Sequence, residues 1–241
     1  MNIIKLNAIA STNDFLKELS AKQIVQNLTT VVAENQLNGK GQRGTTWNSE
    51  DGKNLTFSVF LNGNTINTTS LYLINIIVPI SIQEVLKRYN FNTIAIKWPN
   101  DILSGNKKIG GILIENAIKS DGTVQTIIGV GLNVNQFYFE NLPQAASLAM
   151  IMNREFDKEI LLKNILDQLM INLNRIGDAS YFWEKYNDLL FKKDIPMVFS
   201  NALNEKFMGI IKGVSENGKL LLLLEDDAIK EYDIKEIKMH Y

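Results

Sequence analysis

A chain of 241 residues, 45% hydrophobic and 21% charged, has the size and composition of one sizeable soluble domain, or of a main domain with a small appendage. A formal net charge of −1 excludes general attraction to nucleic acid or anionic membrane, so any partner must be recognised locally. The absence of cysteine rules out a disulfide framework, a thiol nucleophile and a thiolate metal site, and accords with a reducing cytoplasm. The opening MNIIKLNAIAST lacks a basic stretch followed by a long apolar run and does not read as a signal peptide.

IIKLNAI (3–9) reads as a strand, and STNDFLKELS (11–20) as a helix whose start is marked by Ser11, Thr12 and Asn13. A second strand near 30–34 leads into a glycine-rich stretch, and LTFSVFL (55–61) alternates like a strand. LYLINIIVPISIQEVL (71–86) is the most apolar segment, yet Asn75, Pro79, Ser81, Gln83 and Glu84 make it too polar and too short to span a bilayer. It reads as a buried helix, capped by Ser70, bent or locally unpaired at Pro79, and finished by Lys87 and Arg88 against the helix dipole. Strands are expected over 93–98, 107–118 and 124–135. A helix with apolar residues at 161, 162, 165, 166, 169, 170 and 173 is expected over 158–177, ended by Gly177. After FWEKYNDLLFKKD the texture changes to short strands at 195–199, 206–214, 219–224, 229–234 and 236–239, the pattern of a small barrel. The division falls at residue 193, giving a main domain over 1–193 and a β-barrel over 194–241.

The glycine spacing of GKGQRG (39–44) matches a dinucleotide-binding turn, but its context does not. TTWNSEDGKN follows it and reads as loop rather than helix, and the later window NGNTINTT holds no acid for a ribose. A protein kinase loop is excluded by the histidine count: His240 is the only one, so no His-Arg-Asp loop exists. What survives is phosphate chemistry, since bare backbone N–H groups close on anionic oxygens where no Cβ intervenes.

Three further stretches read as site rather than packing. KWPND (97–101) gathers a cation, a tryptophan and two polar side chains around a proline. KKIGGILIE (107–115) sets adjacent lysines and two glycines, Gly110 and Gly111, at the head of an apolar strand. GVGLNVN (129–135) removes side chains at alternate positions and then offers Asn133 and Asn135 on one face. Each has a bland reading when taken alone. Ser11 to Asn13 would serve as a helix cap, the glycine loop as a hairpin, Lys107 and Lys108 as solvated charges, Trp98 as structure, and Asn133 and Asn135 as a strand end.

In the order STN, GKGQRGTTW, GKNLTFS, KWPND, KKIGGILIE, GVGLNVN, these motifs resemble the biotin protein ligases, in the short form without a DNA-binding region. The likeness runs over residues 1–190, and the last fifty resemble that family's small C-terminal domain. It implies an α+β fold in which a mixed sheet packs with helices in the class II synthetase-like manner, followed by an SH3-like β-barrel. It also implies a two-step reaction: biotin and ATP give biotinyl-adenylate and pyrophosphate, then a lysine of a biotin carboxyl carrier domain takes the biotinyl group. Carried across residue by residue, Ser11, Thr12 and Gln36 hydrogen-bond the ureido group, with Asn13 in the same motif. Gly39, Lys40, Gly41, Gln42 and Arg43 form the loop over the carboxylate and adenylate. Lys108 matches the lysine beside the reacting carboxylate and phosphate, and Lys40 assists it. Trp47, Asn100, Gly111 and Asn133 fall around the nucleotide, while Asp101 is the expected Mg2+ ligand and a candidate to deprotonate the incoming lysine. The resemblance further implies a cytoplasmic monomer or weak homodimer that binds neither DNA nor membrane.

The chemistry is consistent with these residue types. A carboxylate is already ionised at neutral pH, so its activation needs charge neutralisation and alignment rather than a strong base. Against the family's commonest loop, Gly-Arg-Gly-Arg, Lys40 and Gln42 stand in place of both arginines, removing a bidentate donor and one charge. A lipoate or octanoate ligase of the same fold is the nearest alternative, and KWPND with Gln36 favours biotin. A biotin-sensing repressor would need a helix-turn-helix ahead of STN, where ten residues stand. A non-catalytic vitamin-binding module would release no pyrophosphate.

Overall fold

The computed structural model describes residues 2–63, 71–120 and 122–241, with the side chain of Arg43 outside that description, as is the expected cap Ser70. The first strand, β1 (Ile3–Ile9), pairs in parallel with β2 (Thr30–Gln36), and such a pair needs a crossover, supplied by α1 (Thr12–Lys22). The remaining strands of this sheet run antiparallel: β3 (Leu55–Asn62), β4 (Ile94–Lys97), β5 (Asp101–Ser104), β6 (Lys107–Ile118) and β7 (Val124–Leu132), in the order β1-β2-β3-β7-β6-β5-β4. It is a mixed seven-stranded sheet, as an α+β fold requires.

Period-two alternation on β3 decides which layer sits on which face. Leu55, Phe57, Val59 and Leu61 join the main core, while Phe60 turns the other way to meet Leu16 of α1, Val31 and Ile127. The main core is built on α2 (Leu71–Arg88), packed against α4 (Lys158–Leu173) and α5 (Ala179–Asp188). Ile74, Ile76, Ile77, Ile80 and Ile82 of α2 are fully buried, each contributing about 1.5–3 kcal/mol of transfer free energy. That burial carries the helix through Pro79, which lies inside it without ending it. No helix among the described residues is long and apolar enough to cross a membrane.

The helices depart from the pattern read in the sequence in two ways. The helix α4 ends at Leu173 with Asn174 as its cap, not at Gly177, because the chain tightens there to bonds from Arg175 to Asn172 and from Ile176 to Leu173. A short α3 (Leu148–Met152) and the helix α5 were not anticipated; Ser147 caps the former.

From residue 196 the chain forms a second, antiparallel sheet: β8 (Pro196–Asn201), β9 (Lys206–Val214), β10 (Leu220–Leu223), β11 (Ile229–Tyr232) and β12 (Ile237–His240), in the order β11-β10-β9-β8-β12. The five strands match the number expected of the small β domain, but no ladder joins β11 to β12, so the sheet is open rather than a closed barrel. Its Phe199, Ile211, Leu220, Leu222 and Ile237 belong to the same core as α2, and the connecting residues bond to both sheets: Phe191 N–H to Ile96, Asp194 N–H to Ile211.

Candidate active site

The two sheets enclose a cavity of about 430 Å³, within the range typical of small-molecule sites. One end is polar and grows from α1 and β2. Ser11 begins α1 as its N-cap, its Oγ accepting from the Asp14 N–H at 3.4 Å, so the capping role is realised. Thr12 donates to Gln36 Oε1 twice, from its backbone N–H at 2.8 Å and from Oγ1 at 2.9 Å. With the carbonyl oxygen so engaged, Gln36 presents its amide nitrogen as a donor. Ser58, the one polar side chain in the middle of β3, lies 2.7 Å from Thr12 Oγ1 and 2.5 Å from Asn13 Oδ1. Asn13 donates onward to Glu115 at 2.7 Å, and a Cβ at Gly129 would overlap its amide, which is why β7 carries glycine there. The result is a buried, fixed array of donors and acceptors.

The glycine loop is a hairpin over this end. Lys40 bridges Thr46, the Gly41 N–H donates to Thr45 at 2.7 Å, and the Trp47 N–H donates to Gly39 at 2.8 Å. Gly39 does not line the cavity. A Cβ there would overlap the Trp47 carbonyl and one at Gly41 the Thr45 hydroxyl, so both glycines serve the hairpin's own closure. A single 3-10 turn over Gln42–Gly44 is followed by extended chain, not by the helix of a dinucleotide-binding turn. Lys40 pairs with Asp14 at 2.6 Å, and that hydrogen bond raises its pKa above the ordinary lysine value.

At the other end, KWPND is the turn of the β4–β5 hairpin, with a cis Trp98–Pro99 bond and Lys97 opposite Asp101. Asn100 fixes the turn by donating to the Ile112 carbonyl at 2.7 Å and accepting from the Ile112 N–H. The register of β5 against β6 shifts between Ile102 and Leu103, a bulge at Ile109 that re-aims Lys108. Its Nζ lies 2.6 Å from Asp101 Oδ1 and 5.8 Å from the Trp47 ring centroid, while Lys97 approaches the other oxygen at 3.6 Å. Trp47 lies across Gly131 and beside Gly111; a Cβ at Gly131 would overlap its ring. Its Nε1 is buried without a partner among the described residues. Lys40, Lys97, Lys108 and Lys238 oppose Asp101 as the only carboxylate side chain on the described wall, so the cavity attracts anions.

Asn133 is not on that wall. It is buried with its amide donating to the Ala146 carbonyl at 3.0 Å, while Asn135 exchanges two bonds with Phe156. Both asparagines pin the segments that follow β7. Asp101 is committed to two lysines, and no group of three His, Asp or Glu able to hold a metal exists among the described residues. These residues do not fit a resident magnesium site. Ser58 closes the GKNLTFS motif but was given no role in the sequence reading, and the contributions of Ile211, Leu220, Lys238 and Met239 from the second sheet, and of Tyr241 after it, carry no local signal. Tyr241 has Lys97 over its ring at 5.0 Å, and its pKa is raised by burial and by Asp101.

Comparison with known proteins places this geometry. The model of the biotin/lipoate A/B protein ligase family matches residues 6–133. The bifunctional ligase/repressor BirA of Escherichia coli is 27% identical over 235 residues, covering 95% of this chain and 70% of that protein. The BirA of Bacillus subtilis is 27% identical, covering 96% and 72%. Among solved structures, the biotin protein ligase from Aquifex aeolicus in complex with biotin and ATP superposes with a TM-score of 0.81 at 28% identity, covering 99% of this chain and 98% of that one. The chain therefore belongs to the biotin/lipoate A/B protein ligase family.

Proposed function

We propose that this chain is an ATP-dependent biotin protein ligase, which activates biotin as biotinyl-adenylate and transfers it to a lysine of a biotin carboxyl carrier domain. The carrying observation is the cavity itself: a fixed polar array at Thr12, Asn13 and Gln36, and a lysine-lined end at Lys108 and Lys97, under one hairpin. Gln36 and Ser11 are read as partners of the ureido group. Trp47 lies over glycine-bared strands as an apolar wall for the nucleotide. Biotin in the solved Aquifex relative supports biotin over lipoate as the substrate.

In the first step a biotin carboxylate oxygen attacks the α-phosphorus of ATP and pyrophosphate leaves. The attack needs no base, and its charge is met by Lys108 and Lys97. Magnesium enters with the phosphates of ATP as part of the substrate, and no step is assigned to an ion held by the chain. In the second step the carrier amine attacks the acyl carbon, the C–O bond to AMP breaks, and the amine proton passes to Asp101, whose charge the two lysines otherwise hold. Residues 1–193 carry both steps, residues 194–241 complete the nucleotide end, and the reducing cytoplasm is the assigned location. The decisive experiment incubates the protein with ATP, Mg2+ and each of biotin, lipoate and octanoate, then identifies the adenylate by mass. Formation of the biotin adenylate alone supports the reading; a lipoyl or octanoyl adenylate in its place overturns it.

A further inference from the structure

The carbonyl of Gly218, in the turn between β9 and β10, accepts two side-chain hydrogen bonds from outside its own sheet. Tyr72 Oη of α2 donates at 3.0 Å and Trp98 Nε1 of the KWPND hairpin at 3.0 Å. A carbonyl has two lone pairs, so its capacity is filled by donors from two separate elements. The turn is shaped to offer that oxygen. The Gly218 N–H closes on Ser215 at 2.7 Å, its φ of +82° suits glycine, and a Cβ there would overlap the Tyr72 ring. The donors are themselves fixed: Trp98 is 9% exposed, and Tyr72 stacks on Trp183 of α5 at 5.7 Å.

The position of this turn decides the cavity wall. Leu220 stands two residues after Gly218, Ile211 lies on the adjoining strand, and both face the cavity together with Ile237 and Met239 of β12 and the following Tyr241. On the other side of the clasp, Lys97 precedes Trp98, Asp101 lies three residues after it, and both face the same space. We infer that Trp98 and Tyr72 are positioning residues which clasp the second sheet by the Gly218 carbonyl and so set the nucleotide end of the cavity. Tyr72 lies off the cavity wall and acts on the reaction through the sheet it holds, whereas Trp98 both holds that sheet and lines the cavity. This rests on the ligase reading for its kinetic consequence, but the clasp itself is testable without any reaction.

The test uses the full chain with Trp98→Phe, Tyr72→Phe and the double variant; Tyr72→Phe deletes one oxygen and keeps the stack on Trp183. Hydrogen exchange is measured over 211–224 and 237–241, with calorimetric biotin binding and pyrophosphate release against ATP concentration. Each single variant is expected to raise the KM for ATP about fivefold and the double variant beyond tenfold, the size of one and two lost hydrogen bonds. Biotin affinity should stay within about twofold, because its polar array belongs to the first sheet, and exchange should quicken in both windows. Unchanged exchange at 237–241 in the double variant would refute the clasp, as would an equal loss of biotin affinity, which marks general damage. An ATP KM within about twofold of wild type despite faster exchange would refute the link to the cavity. A wild-type protein that releases no pyrophosphate would overturn the ligase reading alone, and exchange would then decide the clasp.

Discussion

Replacing Lys108 by alanine should remove most of the adenylation rate while leaving the fold in place. Its ammonium lies 2.6 Å from Asp101 and faces the cavity, where the transferring phosphate gains charge. A unit charge 4 Å from that charge is worth about 4 kcal/mol at an effective dielectric constant of about 20. Since each 1.36 kcal/mol is a factor of ten, the rate should fall by about a thousandfold. Stability should change far less, by about 1 kcal/mol or under, because the Lys108 side chain is 35% exposed and Lys97 remains beside Asp101. The assay is pyrophosphate release under saturating ATP and biotin, with thermal unfolding as control and Lys108→Arg as the charge-retaining comparison. A Lys108→Ala protein with unchanged melting that loses less than tenfold would show that Lys108 does not act on the transition state.

Gly131→Ala should push Trp47 off β7, costing about 1–3 kcal/mol of stability as an overpacked site. It should raise the KM for ATP far more than that for biotin; calorimetric titration of each ligand reads this, and equal losses would contradict it. Gln42→Arg should slow escape of the adenylate about tenfold, because a charge-assisted fork replaces a neutral amide. Dissociation of biotinyl-adenylate and stray biotinylation of a non-carrier protein would both have to fall. Lys40→Ala should open the hairpin by removing its tie to Asp14, so that limited proteolysis cuts between Gly39 and Lys53 and biotinyl-adenylate slows the cut; a cleavage pattern like wild type would count against the tie. Burial pushes the Tyr72 pKa up to about 12, so the folded chain keeps this proton where the unfolded one loses it. Stability from this group is complete below about pH 10 and drains away as pH climbs from there through 12, by up to about 2.7 kcal/mol. The alkaline limb of the stability curve should therefore flatten in Tyr72→Phe relative to wild type.

Local sequence carried what depends on local physics. Alternation in LTFSVFL, the helical stripe from Leu161 to Leu173 and the cap at Ser11 each follow from neighbours within a few residues. The short strand Asp101–Ser104 was hidden because four residues hold too little period to read, and α5 because its buried face reduces to Phe182 and Tyr186. The end of α4 misled because Gly177 offers a stop signal that the tightening after Leu173 pre-empts. At the site, the glycines were legible as bare positions, but their purpose was not. Gly129 and Gly131 clear space for Asn13 and Trp47, neighbours brought in by the fold from far along the chain. Asn133 carried a site-like motif yet spends its amide on Ala146, a partner that only the loop after β7 supplies. Nothing near Met239 or Tyr241 foretold a place in the cavity, since that place exists only once the second sheet docks.

The shared core also sets an order of events in the making of the protein. Thr12, Gln36, Asp101 and Lys108 are translated well before Ile237, Met239 and Tyr241 on the same wall. A growing chain can assemble the first sheet while β12 is still inside the ribosome, because domains form from the N-terminus as they emerge. Such a chain has the polar array at Thr12 and Gln36 but an unfinished wall opposite Lys108. Nascent molecules can hold the vitamin end of the cavity before they can confine a reactive acyl phosphate, so emergence of β12 is the event that arms the site.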